Sequence, residues 1–228
     1  MAMLATPAFP HESVEDQLAD LTARIDRQPD DPWLHLRRGD QYRFRGDWRK
    51  ARADYRRARR IDPALDIVDL RLGTLHLDQG HLRRAKAALD RYLARRPGDI
   101  EGLRTRARAL SRLGMPLAAA DDLRRAIAAF TPPRRPEPDD YLERARAFED
   151  AGPDYNDAAI LALDEGMAAL GPIVSLQFPA IDLDLRAGRV EEALRRLDVL
   201  EAVSGRRDAW LAKRANILER FAGDRKAP

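Results

Sequence analysis

The sequence predicts an all-α chain built as a solenoid of tandem antiparallel helix pairs, and three observations carry that prediction. The first is an internal repeat. Gly46, Gly80 and Gly114 stand 34 residues apart, and the same shift maps Gly39 onto Gly73 and Ala107, Ala51 onto Ala85 and Ala119, and Tyr55 onto Leu89 and Leu123. A period of that length marks stacked supersecondary units rather than one closed core. The second is composition: 228 residues, 44% hydrophobic and 35% charged, hold enough apolar surface to fold and enough charge to stay in solution, which argues against a disordered chain. The third is where the breakers fall. Pro63 and Pro97, with Pro132 one residue late, close successive units, because proline cannot continue a helical ladder.

Taken in order, residues 1–12 read as a disordered segment, and 13–28 as a lone cap helix stopped by Pro29. Three pairs follow at about 32–65, 66–99 and 100–133. The period then slips to 38 residues between Gly114 and Gly152, because TPPRRPEP (131–138) forms a stiff, proline-rich connection. A fourth pair is expected at 138–171, its turn lengthened by GPDYND, and a fifth at 173–205. Pro179 lies inside the first helix of the fifth pair, where a kink or a delayed start is expected. A lone helix at 208–222 caps the C-terminal end, and 223–228 is a tail.

Each repeated column has a physical task. Gly39, Gly73 and Ala107 on first helices, and Ala51, Ala85 and Ala119 on second helices, let the two members of a pair approach closely. Gly46, Gly80 and Gly114 supply the permissive backbone for the turn between them. Tyr42, Tyr55, Leu89, Leu110 and Leu123 fill the space beside the small residues.

Little in the chain suggests chemistry. There is no cysteine, which removes disulfides, thiolate metal sites and cysteine nucleophiles together. His11, His35, His76 and His81 are scattered, and no phosphate-binding or dinucleotide-binding glycine motif or nucleophile elbow occurs. No catalytic residue, cofactor or metal ligand is assigned, and the expectation is a non-enzymatic protein. The 41 basic residues include only Lys50, Lys86, Lys213 and Lys226, leaving 37 arginines against 38 acids. That near balance reads as the coding bias of a GC-rich, bacterial genome rather than a nucleic-acid footprint. No run approaches the ~20 apolar residues of a membrane helix. As written the chain is expected in the cytoplasm; MLATPAFPHES also reads like the tail of a secretory leader, which would place the protein in the periplasm if the true start lies upstream.

The unit PWLHLRRGDQYRFRGDWRKARADYRRARRIDP, followed by VDLRLGTLHLDQGHLRRAKAALDRYLARRP, resembles the tetratricopeptide repeat. His35 and His76 stand in slots usually held by aromatic residues, and Arg38 stands where a leucine is usual. The resemblance implies a right-handed superhelix in which first helices line a concave groove that takes a protein or peptide segment. Carried over, it offers Trp33, Leu36, Asp40, Arg43, Phe44, Leu70, Thr74 and Leu77 from the first two pairs, and Arg104, Arg108, Ser111 and Arg112 from the third. The fourth adds Leu142, Arg146 and Glu149, and the fifth Phe178, Asp182 and Arg186. Arg104, Arg108 and Arg112 share one side of a helix at i, i+4, i+8, with Arg146 expected on the next helix. An apolar shelf beside an arginine row suits a segment carrying acidic and apolar residues. The asparagines and lysines with which some family members hold a carboxy-terminus are replaced here by Asp40, Thr74 and Arg108. Two other roles stay open: an accessory subunit whose groove another chain fills permanently, and nucleic-acid binding through the doublets Arg56-Arg57, Arg59-Arg60, Arg83-Arg84 and Arg124-Arg125. Self-association through the C-terminal half-repeat is a further expectation.

Overall fold

The computed structural model describes residues 13–204 and 207–224. The expected N-terminal segment 1–12, with its leader-like run, and residues 225–228 of the tail lie outside the described residues. Among the described residues there are twelve α-helices, one short 3-10 turn and no strand, and the chain divides into two compact units, residues 1–97 and 98–228.

The first unit holds α1 (Val14–Arg27), α2 (Pro32–Phe44), α3 (Trp48–Ile61), α4 (Ile67–Asp78) and α5 (Leu82–Arg95). Each helix packs on the next in sequence. Helix α1 starts at a capping box, in which Ser13 Oγ accepts from the Asp16 amide while Asp16 accepts from the Ser13 amide. Asp31 caps α2, whose first residue is Pro32, where the missing N–H costs nothing. The second unit holds α6 (Ile100–Arg112), α7 (Pro116–Ala128), α8 (Pro138–Ala151), a 3-10 turn (Pro153–Tyr155), α9 (Asn156–Leu170), α10 (Val174–Arg186), α11 (Val190–Ser204) and α12 (Arg207–Asp224), again packed in sequence order. Helix α10 starts at Val174 and runs through Pro179, so the expected delay does not occur.

The glycine column explains the turns. Gly46, Gly80, Gly114 and Gly188 all have φ between 72° and 79°, a left-handed conformation that costs a side chain strain. Each closes its helix with the same two bonds: at the first turn the Gly46 amide donates to Arg43 O and the Asp47 amide to Tyr42 O, and at the last Gly188 donates to Leu185 O and Arg189 to Asp184 O. This is the Schellman arrangement, which satisfies carbonyls that the helix end would orphan. The other small column sets the spacing within pairs. A Cβ on Gly39 would sit 2.6 Å from Tyr55 Cε1, and one on Gly73 2.6 Å from Leu89 Cγ, so the large residue of the second helix fills the room that the first helix vacates.

Cores are local to neighbouring helices. In the first unit Leu36, Ala51, Tyr55, Ala58, Val68 and Leu75 form one cluster. In the second, Tyr141, Ala145, Leu163, Leu176 and Leu183 form another, and Ile181, Leu197, Leu200, Trp210 and Ile217 seat α12 against α10 and α11. Each fully buried leucine contributes roughly 2 kcal/mol relative to exposure.

The cores are threaded by buried aspartates. Asp54, Asp69, Asp122, Asp140 and Asp184 are all buried, and each accepts from at least one arginine. Arg38 grips Asp54 with Nε and Nη2, both at 2.8 Å, and those bonds hold Arg38 above the ordinary guanidinium value. Arg106 grips Asp122 in the same way, both bonds at 2.7 Å. The two grips occupy one repeat slot, since 38 and 106 differ by two periods of 34, as do 54 and 122; in the intervening pair the slot holds Leu72 and Ala88. Other grips tie one pair to the next: Arg104 to Asp140, Arg71 to Asp40, Arg43 to Asp78, and Arg196 to Asp164, while Arg196 also holds Asp184 within its own pair.

Candidate functional site

The residues offered for a groove separate into three groups. Leu36, Leu70 and Leu77 are buried at 4%, 1% and 6% exposure, so these leucines are core and do not form the apolar shelf expected of them. The reason is periodicity: they lie on the side of α2 and α4 that faces the second helices and the neighbouring pair, which a three- or four-residue step along the helix does not distinguish from the open side. Trp33 and Phe44 are the apolar residues that α2 does expose, at 53% and 79%.

A second group is polar but spoken for. Asp40 accepts from Tyr55 Oη at 2.6 Å and from Arg71 Nε at 3.1 Å; burial first, and then the Asp40 charge, pushes the Tyr55 phenol well above its ordinary pKa. Arg43 donates to Asp78 at 2.7 Å; burial works against its charge, but Asp78 more than compensates and leaves it raised. Thr74 Oγ1 donates back to Leu70 O. Arg104 lies in a two-pronged grip on the buried Asp140, with its guanidinium 5.3 Å from the Phe130 ring centroid. Arg112 also has a partner. The arginine row on α6 is therefore not a row of free cations.

Arg108 and Arg146 form the third group. Both are exposed, and among the described residues neither holds a carboxylate; Arg108 has only a long bond to the Arg104 carbonyl of its own helix. Arg146 lines a cavity of about 220 Å3 between α8 and α10, with Leu142, Ala145, Glu149, Pro179, Asp182 and Arg186. Leu142, Glu149, Asp182 and Arg186 are residues that the repeat register assigns to first helices of the fourth and fifth pairs, and they meet here. Glu149 and Arg186 are bonded to each other across the cavity, while Leu142, Ala145 and Pro179 supply its apolar wall. A hollow of about 260 Å3 between α1 and α2 is lined by Gln17, Asp20, Leu21, Arg37, Asp40 and Gln41.

A larger depression, of about 820 Å3, takes in Ser111 alone of the residues offered for a groove. It lies where the α6–α7 turn meets the C-terminal end of α8 and the 3-10 turn, against Ser111, Met115, Leu117, Asp150 and Tyr155. The signal for it was the lengthened GPDYND turn, which departs from the period at that point.

The arginine doublets on second helices are partly consumed. Arg57 bonds Asp30, Arg59 bonds Asp69, Arg124 bonds Asp121 and Arg125 bonds Asp122. Among the described residues no group of three histidine, cysteine or acidic side chains could hold a metal ion, and no helix is long and apolar enough to cross a membrane.

Residues 45–109 match the family model of the tetratricopeptide repeat. No curated protein matches the sequence. The fold is similar to that of YrrB, described as a tetratricopeptide-repeat protein with an unusual peptide-binding site, at 15% identity over 86% of this chain and 97% of that one, with a TM-score of 0.62. It is similar to MamA at 21% identity over 86% of this chain and 97% of that one, with a TM-score of 0.61. It is also similar to yeast Tom70 at 12% identity over 94% of this chain and 45% of that one, with a TM-score of 0.59. Residues 45–109 thus match the tetratricopeptide repeat, and the fold is that of tetratricopeptide-repeat proteins.

Proposed function

We propose that this tetratricopeptide-repeat protein works by binding a segment of another protein, without catalysis, on the side of the second unit formed by α6, α8 and α10. The observation that carries the reading is Arg146: an exposed guanidinium in a chain where most arginines are gripped by carboxylates, standing in a cavity with an apolar wall. Arg108 adds a second unengaged cation on α6. An acidic partner segment would find a cation at each position, and charge-assisted, two-pronged bonding of a carboxylate to arginine is strong and directional. An apolar side chain beside that carboxylate would settle on Leu142, Ala145 and Pro179. The likeness to YrrB, whose description names a peptide-binding site, supports a peptide as the occupant.

The test is affinity co-purification from the native cell with mass spectrometry, comparing the wild type with Arg108→Glu/Arg146→Glu. The expected result is a protein recovered with the wild type and lost with the variant, while helicity and melting stay the same. Prey recovered equally by both would move the site off this face.

A further inference from the structure

The depression beside the α6–α7 turn differs in character from the cavity around Arg146. Its wall is mixed, with Met115 and Leu117 each 44% exposed beside Ser111, Asp150 and Tyr155, and its volume falls in the range of sites that take an organic ligand or a side-chain anchor. Asp150 is the one charged residue that lines it. This carboxylate is exposed and, among the described residues, has no ion pair or hydrogen bond. In the second unit Asp121, Asp122, Asp140, Asp157 and Asp164 each meet an arginine, while Glu143 and Asp182, like Asp150, have no ion pair among the described residues.

The backbone reinforces that charge. The last turn of α8 contains Glu149 and Asp150 and no basic residue, so the negative end of the helix dipole adds to the carboxylates instead of offsetting them. Glu149 has its counter-ion in Arg186, whereas Asp154, just beyond in the 3-10 turn, is exposed and has none among the described residues. Arg146 stands one turn back on α8, in the order that couples poorly to a following carboxylate, and the two do not pair. Two exposed apolar side chains with a solvated, uncompensated carboxylate nearby attract a hydrophobic group that carries a cation beside it.

We infer that this depression is a second docking point on the partner segment, one that takes an apolar side chain adjacent to a lysine or arginine. The apolar side chain rests on Met115 and Leu117, and the neighbouring cation meets Asp150. The inference extends the binding reading above, because Arg146 and Asp150 are four residues apart on one helix. The partner would then present its carboxylate toward Arg146 and its cation toward Asp150, which fixes the direction in which it lies.

A display library of random peptides panned on the full-length chain tests this. The expected outcome is enrichment of peptides with an apolar residue next to lysine or arginine. Their affinity should fall roughly tenfold on Asp150→Lys, where an attraction becomes a repulsion, and by a similar factor on Leu117→Ala. Asp150→Lys improves the dipole match at the end of α8, so melting should hold or rise, and lost binding cannot be ascribed to unfolding. Peptides that depend on Arg146 but not on Asp150 or Leu117 would overturn this inference and leave the first reading standing. Peptides that depend on none of these residues, or a library that yields none, would overturn both.

Discussion

The slot shared by Arg38–Asp54 and Arg106–Asp122 contains its own control, because the intervening pair fills it with Leu72 and Ala88. Consider Asp122→Ala alone. It removes the carboxylate that the Arg106 guanidinium, 17% exposed, grips with two bonds, and breaking such a part-buried pair costs about 3 kcal/mol. Arg125, bonded to the same carboxylate at 3.3 Å but 35% exposed, adds little, because a solvated ion pair is worth under about 1 kcal/mol. The double variant Arg106→Leu/Asp122→Ala copies the Leu72–Ala88 solution. It removes both buried charges, places apolar surface in the slot, and should return stability to within about 1 kcal/mol of the wild type or above it. For a chain of this size the single variant should melt roughly 6–12 °C lower and the double within a few degrees of the parent. Stacked repeats need not unfold as one unit, so thermal circular dichroism should be paired with hydrogen exchange at the α6 and α7 amides, where the loss should concentrate. A double variant as unstable as the single one would refute the reasoning, since it would mean that the pair contributes more than mutual neutralisation.

Other outcomes follow from the same geometry. Arg104→Glu should destabilise the second unit by about 3 kcal/mol by leaving Asp140 buried beside a like charge, whereas Arg146→Glu should leave melting unchanged and act only on binding; urea titrations of the two variants separate the roles. Gly73→Ala should cost about 1–3 kcal/mol, read as a lower urea midpoint, because its Cβ would sit 2.6 Å from Leu89 Cγ, a branch point that cannot swing aside. Burial first, then the charges of His81, Arg84 and Arg52, lowers the His76 pKa below its ordinary value. Between the folded and unfolded values the unfolded chain binds the extra proton, so stability should fall as pH drops below about 6.5. His76→Gln should flatten that slope in melting curves taken across the same range.

The architecture was legible because its determinants are local and repeat. A turn that needs positive φ demands glycine, and a close helix contact demands a small residue, so Gly46, Gly80 and Gly114 with Gly39 and Gly73 announce the pairs directly. The site was less legible because helical spacing reports which residues share a stripe and not which stripe is covered. Leu36, Leu70 and Leu77 fit an open face as well as a core until the neighbouring helix is in place. The arginines posed a harder problem. Whether Arg104 or Arg108 is free depends on a carboxylate 36 or so residues away on another pair, and one sequence gives no sign that Asp140 is buried and turned toward it. The depression at Asp150 escaped for the opposite reason: it comes from an irregularity, and a reading built on periodicity discards what breaks the period.

The grips that run between pairs amount to a set of keys. Arg104 of the third pair fits Asp140 of the fourth, and Arg196 of the fifth fits Asp164 of the fourth; Arg71 and Asp78 of the second pair interlock with Asp40 and Arg43 of the first. The helix pairs look like interchangeable bricks in outline, yet their wards differ. Excising the fourth pair would take Asp140 from Arg104 and leave Arg196 with Asp184 of its own pair alone, and exchanging the first two would break both of their locks. The order of the pairs along the chain is thus written twice, once in the covalent sequence and again in which cation finds which anion. Length in this protein can grow by adding pairs at an end far more readily than by shuffling the ones inside.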